Sequence, residues 1–133
     1  MLSFGLLIIR LILGLSFVGH GAQKLFGWFG GPGLKQTAGF FQSIGIKPVV
    51  PMAVLAGLAE FVGGLLLSLG LLTPLAGLII AATMVVAIGT VHGKNGYWAT
   101  KNGYEYNLLI LGTAIGLALT GAGSYSIDAL IFG

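Results

Sequence analysis

The chain has 133 residues, 56% apolar and only 7% charged, with a net charge of +3. Soluble domains carry about 25% charged residues, so this composition excludes a water-covered surface and leaves lipid to cover most of it. Cysteine is absent, which excludes disulfides, thiol redox chemistry and thiolate metal sites. Any redox role must therefore take its electrons from a bound cofactor or quinone. No basic run resembles a nucleic-acid patch, so no nucleic-acid partner is expected.

A hydrocarbon core of about 30 Å needs roughly 20 apolar residues as helix. The chain offers four such stretches, and the expected fold is an all-α, four-transmembrane-helix bundle forming one domain over 1–133. The first span runs from about 2 to 25 and contains "LIIRLILGLSFVGHGAQKLF". It lacks the basic start and the cleavage site of a signal peptide and reads as a retained helix. "GWFGGPGLKQTAGFFQSIGIKP" follows. Within it Leu34, Ala38, Phe41 and Gly45 recur at i, i+4, i+7 and i+11, which predicts a short interfacial helix near 34–44. The second span, 49–72, carries a single charge, Glu60.

Only "TP" separates it from the third span at 75–91: Thr73 can cap and Pro74 can open the next helix, giving a tight hairpin. The fourth span covers 105–120, and "GAGSYSIDALIFG" then supplies a serine cap and an amphipathic tail. Phe26, Trp28, Phe29, Tyr97, Trp98, Tyr104 and Tyr106 gather on one side, as an aromatic belt does. The lysines at 24, 35, 47, 94 and 101 share that side. The positive-inside rule then places the 1–2 and 3–4 loops in the cytoplasm and both termini outside.

Arg10 interrupts the first span near its middle. Counted at 1.5 Å per residue in antiparallel helices, Arg10 and Glu60 fall at similar depth, and each lies on a stripe at 4-3-4-3 spacing. The stripes are Arg10, Gly14, Phe17, Gly21, Lys24 and Ala53, Gly57, Glu60, Gly64, Leu67. Small residues beside each charge let backbones approach, and the expectation is a structural Arg10–Glu60 ion pair that fixes register. Intramembrane charges also mark functional sites, so a proton or small-solute pathway through this pair is an alternative.

A second polar set falls at the loop-rich end: His20, Lys24, His92 and Glu105. Such groups suit proton exchange with a quinol or phenolic substrate, because protons accompany quinone redox and imidazole titrates near neutrality. The same residues also fit a purely interfacial role, with Lys24 snorkelling and Glu105 favouring a helix N-terminus. Two histidines allow a haem, or a metal shared with Glu105, but no spacing motif supports either and no metal site is expected. "GWFGGPG" lacks the GK[ST] of a P-loop.

The blocks "RLILGLSFVGHGAQKLFG", "TAGFFQSIG", "AEFVGGLLLSLGLLTPLAG", "VHGKNGYWATKNGYEYNLLIL" and "GAGSYSID" together resemble the DoxX family across nearly the whole chain. That family consists of four-helix bacterial and archaeal membrane proteins described as oxidoreductases. It includes CatD-like proteins linked to catechol tolerance and takes its name from a subunit associated with quinone-linked thiosulfate oxidation. The resemblance implies importance for Arg10, His20, Gly21, Lys24, Glu60, Gly63, Gly64, Glu105 and Asp128. It favours a cell-membrane oxidoreductase component that binds a quinone or phenolic compound, with a redox partner protein supplying electrons. In that reading His20 and Glu105 exchange protons, Lys24 and His92 orient oxygens, and Phe17, Trp28, Phe40 and Tyr104 wall the ring. A non-catalytic scaffold that recruits redox enzymes is the competing class.

Overall fold

The computed structural model describes residues 1–133 and is entirely helical. Its helices are α1 (Leu2–Phe26), α2 (Gly33–Ser43), α3 (Val49–Leu69), α4 (Thr73–Ala87), α5 (Glu105–Thr120) and α6 (Ile127–Phe132). Three stretches are long and apolar enough to cross a membrane: Leu2–Phe26, Val49–Leu69 and Thr73–Asn95, the last comprising α4 and its continuation. At 1.5 Å per residue α5 extends about 24 Å, shorter than a hydrocarbon core of about 30 Å. The helix expected near 34–44 is α2. Its Thr37 hydroxyl donates to the Gly33 carbonyl at 2.8 Å and to the Lys24 carbonyl at 3.4 Å, fastening it to the end of α1.

The two stripes foreseen on α1 and α3 are their buried faces. Arg10, Gly14, Phe17 and Gly21 are buried on α1, and Ala53, Gly57, Glu60, Gly64 and Leu67 on α3. The backbones touch at glycine. A methyl group at Gly64 would stand 2.5 Å from the Gly14 carbonyl oxygen, and one at Gly21 would stand 2.5 Å from the Phe61 nitrogen. Any larger residue there would force the helices apart. The same contacts set the register, with Gly14 against Gly64 and Ser68, and Gly21 against Gly57 and Phe61.

In this register the first two turns of α1 run past the end of α3. The C-terminal segment fills the space beside them: Ser3 Oγ donates to Ser124 Oγ at 3.0 Å and accepts from the Ser124 amide at 3.1 Å. α4 returns along α3, and α5 packs on α4, where a methyl at Gly77 would meet the Ala114 carbonyl oxygen at 2.6 Å. Phe17, Leu67, Ile80, Met84, Ala114 and Leu117 meet in the core. α1 packs on α3 and α5 on α4, so the seam between α1 and α5 stays largely unpacked. Leucines and valines such as Leu55, Leu65, Leu78, Val85, Leu109 and Leu119 face outward, as lipid-covered helices require.

The Thr73–Pro74 start of α4 is capped differently from the expected local threonine cap. Pro74 does sit in the first turn, but the N-cap is Leu72, and no local side chain caps the helix. Asp128 does so from α6, accepting from the Leu72 amide at 2.7 Å and the Thr73 amide at 2.9 Å. Ser126 caps α6 itself, accepting from the Ala129 amide at 3.1 Å.

Candidate functional site

Arg10 does not pair with Glu60. Its guanidinium is 1% exposed and donates to three backbone carbonyls: Nε to Leu67 at 3.1 Å, Nη1 to Ala122 at 2.8 Å and Nη2 to Ser68 at 3.1 Å. The reason is the register. Counting from the helix ends assumes that α1 and α3 start and stop together, whereas α1 overhangs the end of α3. Arg10 therefore meets the last turn of α3, where carbonyls lack helical partners and the dipole is negative. The separation also removes the pathway imagined through an Arg10–Glu60 pair.

Glu60 instead pairs with Lys24, the other cation on the α1 stripe. Lys24 lies fourteen residues beyond Arg10, about 21 Å along the helix. The Glu60 side chain is 9% exposed and that of Lys24 29%. This pair lies in a cleft of about 690 Å³. His20, His92 and Asn107 also line the cleft, and its remaining wall is largely apolar, built from residues such as Ile9, Leu13, Phe17 and Ile110. The sides come from four helices, with α3 supplying Glu60. α1 supplies Ile9, Leu13, Ser16, Phe17, His20 and Lys24 at helical spacing, and α5 supplies Asn107, Ile110 and Thr113 at i, i+3, i+6. His92 arrives through a change in backbone: α4 passes into a π turn over Ile88–His92, a local widening found frequently at functional sites.

The two histidines differ. His20 is exposed on α1, its ring 6.1 Å from that of Phe17 and tilted edge-on. His92 Nδ1 lies 3.0 Å from the Asn102 carbonyl oxygen. A carbonyl can only accept, so Nδ1 carries the proton and Nε2 is the open position of the ring.

The structure brings together His20, Lys24 and His92 from the expected set, but not Glu105. The Glu105 carboxylate accepts from the Ala99 amide at 3.0 Å and braces the 99–101 turn, while Glu60 is the carboxylate that lines the cleft. Of the four expected ring walls only Phe17 lines it. Trp28 is exposed and packs on Phe26 with centroids 4.9 Å apart. Phe40 is exposed on α2 beside Phe41 at 6.3 Å, and Tyr104 packs edge-on against Tyr97 at 5.6 Å. These three belong to the aromatic surface of the loop-rich end. Their large rings suggested a pocket, but being amphipathic they sit equally well at a membrane interface. Sequence reasoning missed Asn107, whose side-chain nitrogen contacts Met84 Sδ at 3.7 Å. Its spacing to Ile110 and Thr113 was the available signal.

Comparison with known proteins agrees with this architecture. The family model DoxX matches residues 5–93. The chain is 35% identical to the Bacillus subtilis (strain 168) protein named "Putative oxidoreductase CatD", over 98% of this chain and 89% of that one. It is 29% identical to the inner membrane protein YqjF of Escherichia coli (strain K12), over 96% of this chain and 92% of the relative. It is also 34% identical to the membrane protein Rv3486 of Mycobacterium tuberculosis (strain ATCC 25618 / H37Rv), over 90% of this chain and 77% of that protein. No solved structure matches it. The helices, the family model and the membrane-protein relatives agree, and the chain is a multi-pass membrane protein that belongs to the DoxX family.

Proposed function

We propose that the cleft binds a quinone or a phenolic compound such as a catechol, and that the chain is the membrane component of an oxidoreductase. In this reading residues 1–133 form one domain of four spanning helices, with α5 as the fourth and α2 lying at the interface. The observation that carries the reading is the composition of the cleft: Lys24, Glu60, His20 and His92 line one cavity whose other walls are mostly hydrocarbon. A pocket of that kind orients a flat ring through a few polar groups and holds it by apolar contact. The Bacillus subtilis relative's name, "Putative oxidoreductase CatD", supports the redox part of the reading.

The chemistry assigns a task to each side chain. Oxidation of an aromatic diol to a quinone releases two electrons and two protons. Glu60 and His20 receive the protons at carboxylate oxygen and imidazole nitrogen. Lys24, already drawn to Glu60, donates to a ring oxygen and favours its deprotonated form. His92, fixed through Nδ1, offers Nε2 to the other oxygen. With no cysteine in the chain, the two electrons leave to the redox centre of a partner protein.

Purified protein in vesicles, titrated with a hydroquinone and with its oxidised form, tests the reading. His20→Ala and Glu60→Gln are expected to weaken binding at least tenfold at equal folded abundance. Parent-like binding in both variants would transfer the function to a non-catalytic scaffold.

A further inference from the structure

The cleft continues past its polar end, and this continuation identifies the kind of ligand. Between Lys24 and Ile8 it follows α1 for sixteen residues, about 24 Å. Beyond His20 the α1 lining turns apolar, with Ile8, Ile9, Ile12 and Leu13, and α5 adds Leu109 and Ile110. The two hydroxyls along it are satisfied within their own helices: Ser16 donates to the Ile12 carbonyl at 2.7 Å and Thr113 to the Leu109 carbonyl at 2.9 Å. The walls therefore present hydrocarbon. Ile8, Ile9 and Ile12 are also exposed, so the groove opens sideways where a membrane helix meets lipid.

We infer that the ligand of this site is a membrane-dissolved amphiphile, with an aromatic hydrogen-bonding head at Lys24–Glu60 and a linear hydrocarbon tail along the α1–α5 groove, entering laterally from the bilayer. The inference rests on the function proposed above and adds the tail and the route. Three observations single out this occupant. The same cleft is lined by the charged cluster and by the exposed isoleucines of α1. Its volume of about 690 Å³ lies within the range of pockets that enclose drug-sized ligands, far more than a single ring fills. And α1 and α5 barely touch, which leaves the seam between them open to the bilayer.

The test compares two probes on the full chain in vesicles of fixed lipid content: bare hydroquinone and hydroquinone bearing a decyl chain. Ile12→Trp fills the groove beyond the polar end. Leu15→Trp adds the same bulk at an exposed α1 position outside the cleft. The readout is the ratio of affinities for the tailed and bare probes, so that partition of the tailed probe into lipid cancels between variants. The expected result is a ratio that falls at least tenfold in Ile12→Trp and keeps its parent value in Leu15→Trp. Ile8→Trp, one turn away, replaces Ile12→Trp should that variant not accumulate. An unchanged ratio in the groove variants, with His20→Ala still weakening the bare probe, overturns the tail and the lateral route while leaving the proposed function standing. Absence of binding of either probe to the parent protein overturns the proposed function, and this inference with it.

Discussion

α1 carries two cations on one helix face, and the fold treats them oppositely. In its first half Arg10 is enclosed, with three of its donors on carbonyls of Leu67, Ser68 and Ala122. In its last turn Lys24 meets a single carboxylate, Glu60, in an open cleft. A guanidinium presents five donors in a rigid fork and remains charged throughout the accessible pH range, whereas an ammonium is a point charge on a flexible stem. The fork suits a permanent junction between a helix end and the C-terminal segment. The flexible stem suits a site where a ligand displaces or shares the partner. One charge holds the bundle, and the other is the one to which the proposed function gives a chemical task.

The sharpest way to break this comparison is to exchange the roles by mutation. Arg10→Leu leaves the Ser68 and Ala122 carbonyls buried without their donor, and each lost hydrogen bond to a charged group costs about 1.5–3 kcal/mol. The expected outcome is loss of more than about 3 kcal/mol, read as collapse of the monodisperse detergent-solubilised fraction on mild heating. Arg10→Lys should recover part of this, because an ammonium keeps the charge but not the fork. If Arg10→Leu matches the parent in heat resistance, Arg10 is not the structural member of the two.

The faces were legible in the sequence; the register was not. Both small-residue stripes are the buried faces of α1 and α3, since period and residue size dictate which side packs. Which charge met which anion depended on how far α1 overhangs α3, and that offset comes from the Gly14–Gly64 and Gly21–Phe61 contacts. Helix length carries no information about it. The candidate site shows the same division. Phe17 and Lys24 lie on one α1 stripe and His20 stands one turn before Lys24, so helical spacing brings these three together, whereas Glu105, Trp28, Phe40 and Tyr104 were grouped only by a shared membrane side. Sharing a depth does not imply sharing a cavity, and Asn107 was overlooked because α5 had to be rotated into place before its inner face was known.

Breaking the Lys24–Glu60 pair should give a smaller stability change than Arg10→Leu. The lysine side chain is 29% exposed, so solvent and snorkelling can rescue a lone ammonium. Lys24→Met leaves a carboxylate in an apolar cleft, and Glu60→Gln leaves a lysine that reaches water. We expect Lys24→Met to be the more destabilising single change, and the double variant to be more stable than additivity predicts, by about 0.5–3 kcal/mol as in other contacting pairs. Additive losses in thermal denaturation of all three variants would mean that the pair contributes nothing beyond its separate members.

The smallest of these effects belongs to Asp128, and it sharpens the account of the closed end. Burial raises the pKa of this carboxyl, but the Thr73 and Leu72 amides and the Arg10 charge together outweigh it, leaving the value below the ordinary 3.8. A carboxyl with a lowered folded pKa binds protons less readily than the unfolded chain does, so stability rises with pH across that interval. The contribution is therefore complete above about pH 3.8 and fades as pH falls below it through the folded value. Asp128→Ala removes the only side chain that caps α4, at a cost of about 0.5–2 kcal/mol. Asp128→Asn should retain most of the cap, because its amide oxygen still accepts from a backbone N–H, while losing the acid dependence that follows the carboxylate. Unfolding of parent, Asp128→Ala and Asp128→Asn at neutral pH and below pH 3.8 separates the two roles. The parent should approach Asp128→Asn in acid, and Asp128→Ala should lie below both at neutrality. A parent–Asn difference that does not change with pH would show that the carboxylate acts on the α3–α4 turn only through its shape.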